Sequence, residues 1–122
     1  MEIFTPKNYS NTRSLEPMIT IGLKGLMTFN RAFVEKLELS PGQQVSFGKR
    51  IIQNEIEYCL FIDENGFILR RSSSKSLCFN AKQFVAQLTK DLDLALSEDR
   101  KKSVRFNVQK DIWEDTEVWK LV

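Results

Sequence analysis

Lys24, Arg31, Lys75 and Lys82 are the residues best placed to do chemistry, and that chemistry is neutralisation of a polyanion. Each phosphate met by a Lys or Arg releases bound counterions, so cations gathered on one face add affinity together. Lys24 lies beside a turn bracketed by Gly22 and Gly25, and Arg31 opens a helical stripe. Lys75 and Lys82 stand at the corresponding places in the second half of the chain. Arg70-Arg71 and Lys49-Arg50 are further candidates. Adjacent strand residues point to opposite faces, so at most one of each pair is expected to serve a given surface. The formal net charge is +2, which permits a polyanionic partner without demanding one.

Other chemistries lack their parts. The chain has no histidine, which removes the commonest general base, the usual partner of a Ser or Cys nucleophile and the commonest metal ligand. Glu114-Asp115 and Asp91/Asp93 could be read as paired carboxylates, but both read as solvated loop or helix surface. Cys59 and Cys78 are too few for a disulfide framework or a closed zinc site, and each sits among apolar neighbours; they read as buried thiols in a reducing compartment. Gly22-Leu23-Lys24-Gly25 fits the GXXG pattern of an RNA-clamping loop, but that loop joins helices and both flanks here read as strands. No P-loop pattern occurs. Trp113, Trp119 and Tyr58 could stack bases, yet such residues more often fill a core. The expectation is a non-enzyme with no cofactor and no metal.

The elements that must position the cations follow from periodicity. Residues 1–17 are polar, broken by Pro6 and Pro17, and read as an N-terminal arm. They lack the basic and apolar run of a secretory signal, and no stretch is long and apolar enough to span a membrane, so a cytoplasmic location is expected. Met18 to Leu23 and Leu26 to Phe29 read as short strands. Asn30 is an N-cap, and Phe33, Val34 and Leu37 form a helical stripe that ends near Leu39-Ser40, ahead of the Pro41-Gly42 turn. Val45 and Phe47 alternate as a strand, and Ile56 to Ile62 is a longer one. Asn65-Gly66 is the strongest short hairpin signal, returning the chain through Phe67 to Arg71. Leu77-Cys78-Phe79, a second cap at Asn80 and a stripe of Phe84, Val85, Leu88 and Leu92 follow, with a helix reaching as far as Leu96. A charged run, Ser97 to Lys102, then leads to strands at Val104 to Val108 and Val118 to Val122.

Phe-Asn followed by Phe-Val-x-x-Leu occurs twice in the same order, at Phe29-Asn30 with Phe33 to Leu37 and at Phe79-Asn80 with Phe84 to Leu88. Each copy continues into an alternating strand and then a second strand. A unit this small buries its apolar face poorly by itself, and a second copy can cover it. The expected fold is therefore α+β: two βαββ-like repeats, 18–71 and 75–122, forming a single domain of residues 18–122 with an approximate twofold axis and a barrel-like sheet.

The stretch from Ile19 to Phe47 resembles the SpoVT/AbrB-like swapped-hairpin family. Leu39-Ser40-Pro41-Gly42-Gln43-Gln44-Val45 is similar to that family's Leu-x-Pro-Gly-Asp-x-Val turn and strand, and Phe67 to Arg71 to its closing strand. Two such units in one chain are similar to the tandem arrangement of MraZ-like proteins. Gly25-Leu26 stands where the family carries Gly-Arg, Asn30 stands where it carries a helix-leading Pro, and the second copy lacks the Pro-Gly turn. The resemblance implies a swapped-hairpin fold and a DNA-binding transcriptional regulator. Its expected partner is double-stranded DNA, met by Lys24, Arg31, Lys75, Lys82, Arg70 and Arg71, and a homo-oligomer is compatible with it. The alternative is a protein-interaction or assembly module without a nucleic-acid role.

Overall fold

The structure is a computed structural model and describes residues 16–72, 75–97, 99 and 102–122. The expected N-terminal arm, apart from Glu16 and Pro17, lies outside the described residues, as do Ser73, Ser74, Glu98, Arg100 and Lys101. The chain runs β1 (Met18–Gly22), β2 (Leu26–Phe29), α1 (Arg31–Leu37), β3 (Gln44–Ile52), β4 (Glu55–Ile62), β5 (Phe67–Ile68), β6 (Arg70–Arg71), β7 (Leu77–Asn80), α2 (Lys82–Asp91), β8 (Ser103–Trp113) and β9 (Thr116–Leu121). All nine strands belong to one antiparallel sheet in the order β5-β3-β4-β9-β8-β1-β2-β7-β6. Its two end strands are separated in sequence only by Leu69. The Leu69 N–H donates to Gln43 and its carbonyl accepts from Gly42, at 2.9 and 2.7 Å. The sheet thus nearly closes on itself, an α+β, barrel-like arrangement with two helices among the described residues.

Alternation drives the inside of this sheet. Ile19 and Ile21 of β1, Met27 and Phe29 of β2, Val45 of β3, Leu60 of β4 and Trp119 of β9 are buried in one cluster with Phe33 of α1 and Leu88 of α2. Aromatic rings join the pieces: Phe29 meets Phe33 edge-on at 5.0 Å and Phe79 at 5.9 Å, and Phe67 stacks on Phe79 at 4.8 Å. Such contacts add to the area they bury.

Local signals act as expected at several joints. Asn30 caps α1, its side-chain oxygen accepting from Phe33 N–H and Met18 N–H at 3.0 Å each, while its amide donates to the Glu16 carbonyl at 2.8 Å. One side chain therefore ties the start of β1 to the start of α1. Pro41-Gly42 forms a turn with Gly42 at φ +91 and a 3.1 Å bond from Gln43 N–H to the Ser40 carbonyl, the backbone that only glycine adopts freely.

Other expectations are corrected. Asn80 does not cap α2; it is the last residue of β7, and the cap position is Ala81, with no side-chain bond. Ala81 thus stands between Asn80 and the helix, whereas Asn30 leads directly into Arg31 of α1. α1 stops at Leu37, with Glu38 left-handed at φ 54, and α2 stops at Asp91 short of Leu96. Asn65-Gly66 does form a tight turn, Gly66 N–H donating to Asp63 at 3.1 Å, but β5 pairs with β3, not β4. The long hairpins are β3–β4, turning at Gln53-Asn54, and β8–β9, turning at Glu114-Asp115, with positive φ at all four turn residues. That is the mirror-image turn favoured by strand twist, made here without glycine.

Candidate nucleic-acid interface

The β1–β2 turn, the start of α2 and the start of β8 converge at one corner. Gly25 has φ +100, and a Cβ there would lie 2.7 Å from the Lys82 Cα, so the turn rests on the helix backbone. The Ala81 N–H donates to the Gly25 carbonyl at 2.8 Å, and the Leu23 N–H donates to the Lys102 carbonyl at 2.8 Å. These contacts bring together Lys24, Lys82 and Lys102, all exposed. The loop from Gly22 to Gly25 joins two strands, so it lacks the helical flanks of an RNA-clamping GXXG loop.

The second corner is built from α1 and the β6–β7 connection. Arg31 is the first residue of α1, and its Nε donates to Glu35 at 2.8 Å with both side chains largely exposed. Arg31 holds the Glu35 carboxyl below its ordinary range, first by that hydrogen bond, and nearby Lys75 contributes in the same direction. Lys75 stands two residues before Leu77, which pairs with Phe29 beside the α1 cap, so Lys75 lies at this corner. The structure brings the four leading candidates together in two cross-paired sets, Lys24 with Lys82 and Arg31 with Lys75.

Arg70 and Arg71 are both exposed. β6 is only two residues long, pairs only with β7 and lies at the end of the sheet, so neither side of it is covered. Lys49 and Arg50 do point to opposite faces, and both are engaged. Lys49 pairs with Asp91 at 3.0 Å; Arg50 pairs with Glu57 at 3.0 Å, reaches Asp111, and lies 5.3 Å from the Trp113 ring centroid.

Charge is unevenly distributed over the two halves of the sheet. The short-strand half comprises residues 16–37, 70–72, 75–97, 99 and 102–107, which carry β1, β2, β6, β7, both helices, the segment after α2 and the first residues of β8. It holds ten Lys and Arg against five Asp and Glu. The long-hairpin half, residues 38–69 and 108–122, holds four against nine. All four of its cations are ion-paired: Lys49, Arg50, Lys110 with Glu117 at 3.5 Å, and Lys120 with Glu57 at 3.3 Å. In the short-strand half, Lys24, Arg70, Arg71, Lys75, Lys82, Lys102 and Arg105 have no ion-pair partner among the described residues. Separation of this kind creates the local potential that a mild net charge conceals. Lys102 and Arg105 escape sequence reasoning because their place depends on β8 pairing with β1, more than eighty residues away in sequence.

Several other titratable groups serve the fold. Tyr58 donates to Asp91 at 2.5 Å and accepts from Gln87 at 3.3 Å, fastening the end of α2 to β4. Burial, then the bond to Asp91, pushes the Tyr58 hydroxyl up to about 12. Burial likewise pushes the Cys59 thiol up, which makes it a poor nucleophile; both cysteines are free and buried. Trp119 is buried in the core, and Trp113 is half-buried across Gly48, where a Cβ would lie 2.6 Å from the ring. Among the described residues there is no cluster of three metal-ligating side chains, and no helix is long and apolar enough to cross a membrane. Comparison with known proteins returns no match: no family model, no curated protein and no solved structure aligns with this chain.

Proposed function

We propose that this protein is a DNA-binding transcriptional regulator whose short-strand half meets the phosphate backbone of duplex DNA. The observation that carries the reading is the charge segregation: ten cations against five acids on one half, most of the cations without ion-pair partners among the described residues, beside a half whose few cations are all neutralised. Exposed lysines and arginines on turns and helix starts are the groups that position a protein on a duplex.

The swapped-hairpin duplication belongs to the same proposal, and strand order supports it. Exchange β1 with the β5–β6 strand, β2 with β7, β3 with β8 and β4 with β9, and the order around the nearly closed sheet is unchanged. Register supports it too. The β2–β7 pair includes Thr28 opposite Cys78, fifty residues apart, as the repeated Phe-Asn words are. Gln53-Asn54 and Glu114-Asp115 share a two-residue turn with positive φ at equivalent places. An axis through the β2–β7 and β4–β9 seams relates the two basic corners, as two-fold readers of duplex DNA require.

Fluorescence anisotropy with a short labelled duplex tests the reading. Binding should be measurable at low ionic strength, and log affinity should fall linearly with log salt. Absence of binding at low salt rejects it. A second reading, a protein-interaction module, is favoured by Ile51 and Ile112, which are 67% and 68% exposed near the two hairpin turns; a stable protein partner captured by wild-type protein and lost on Ile51→Ser with Ile112→Ser would support it.

A further inference from the structure

The two basic corners are built alike and charged differently. At the first, Lys24, Lys82 and Lys102 are held by the Gly25–Ala81 and Leu23–Lys102 backbone bonds and have no ion-pair partner among the described residues. At the second, Arg31 already donates to Glu35, and Lys75 lies near the same carboxylate. Three cations without an ion-pair partner among the described residues thus stand at one corner, and at the other two cations stand with the Glu35 carboxylate.

We propose that the contact with a phosphate backbone is asymmetric: the Lys24–Lys82–Lys102 corner is the anchor, and Glu35 holds the Arg31–Lys75 corner in reserve. A phosphate reaching Arg31 must replace a carboxylate that already accepts its hydrogen bond, and the displaced carboxylate stays within a screening length, about 10 Å at 0.1 M salt, where it repels the phosphate. Fewer counterions are released there because the Glu35 carboxylate already neutralises part of that corner's charge. At the lysine corner no carboxylate among the described residues is paired with a lysine, and each cation contributes its full counterion release. The duplication thus yields one strong and one weak half-site, and Glu35 sets the difference. This inference rests on the DNA-binding reading above.

The test compares wild type, Lys24→Gln with Lys82→Gln, Arg31→Gln with Lys75→Gln, and Glu35→Gln by duplex anisotropy across a salt series. All five side chains are exposed, and circular dichroism checks that the fold is kept. Removing Lys24 and Lys82 should lower the log–log salt slope by about 2, roughly one for each phosphate that is no longer neutralised. It should weaken binding by tenfold or more near 0.1 M salt. Removing Arg31 and Lys75 should lower the slope by less than about 1. Glu35→Gln should tighten binding and steepen the slope. Equal effects of the two double variants, or no gain from Glu35→Gln, overturn the asymmetry while leaving DNA binding intact. Wild-type protein that ignores the duplex at low salt overturns the DNA-binding reading and the asymmetry with it.

Discussion

The short-strand half and the long-hairpin half use the same residue types for different ends. In the hairpins, every cation is tied into structure. Arg50 joins β3 to β4 through Glu57 and to β8 through Asp111, and its guanidinium lies against Trp113. Lys120 shares Glu57, and Lys49 joins Tyr58 on Asp91. These residues hold two long hairpins in one curved unit, where the Trp113 ring covers Gly48. In the short-strand half, Arg31 pairs with Glu35 and Lys36 lies over the Trp119 ring, but Lys24, Lys75, Lys82 and Lys102 stand at turns and element starts with no ion-pair partner among the described residues. The difference teaches that net charge is a poor guide here: stabilising cations and available cations are separated by element, and only the second kind can meet a polyanion.

The largest expected effect is on the hairpin side. Arg50→Ala strands two carboxylates and removes the contact with Trp113, and should lower stability by about 2 kcal/mol. Urea unfolding measures that change, and duplex binding by the folded variant should be unchanged. Failure to bind with the fold intact would erase the distinction between the halves. The Tyr58 latch gives a comparable effect that depends on pH. An unfolded tyrosine ionises near pH 10, whereas burial and Asp91 push Tyr58 up to about 12. Between those values the unfolded chain releases the proton and the folded chain keeps it. Stability is therefore full below about pH 10 and falls as pH rises towards 12, by on the order of 2 kcal/mol. Tyr58→Phe should flatten this alkaline limb in thermal melts taken across the range. At the acid end, the Tyr58 hydroxyl and then Lys49 hold the Asp91 carboxyl below its ordinary range. That contribution is present above the usual carboxylate pKa and is lost as pH falls through the depressed one.

Legibility in the sequence follows the range of the interaction. Asn30, Pro41-Gly42 and the alternation of Val45 with Phe47 act within a few residues, and each forms the local structure its chemistry favours. Asn65-Gly66 also makes a tight turn, but which strand receives β5 is decided by burial of Phe67 against Phe79 and Phe84, and those partners are remote. The hairpin turns at Gln53-Asn54 and Glu114-Asp115 escape notice because neither contains glycine; long flanking ladders hold their positive φ. Asn80 has the right type for a cap and the wrong position, since it is held in β7 opposite Leu26 and Ala81 opens the helix. At the candidate interface, Lys24, Arg31, Lys75 and Lys82 are legible beside the repeated Phe-Asn words and the turns that flank them. Which of them meet is not, because the β2–β7 pairing sets it, nor is Lys102, which β1–β8 pairing delivers.

Smaller effects sharpen the comparison within the short-strand half. Asn30 accepts from two backbone N–H groups and donates to a carbonyl, so Asn30→Ala should lower stability by about 1 to 2 kcal/mol. Asn80→Ala should lie well below that, because no helix N–H depends on its side chain. The smallest effect belongs to Arg70 and Arg71. Both are exposed, and neither has an ion-pair partner among the described residues. Replacing both with Gln keeps the backbone pairing of β6 with β7 through Cys78 and Leu77, so urea unfolding should report a change within about 0.5 kcal/mol. The same variant should show a shallower slope in a salt titration against duplex DNA, because cations that hold nothing together are the ones free to meet phosphate. A marked drop in stability would make these arginines structural and move β6 to the hairpin side of the comparison.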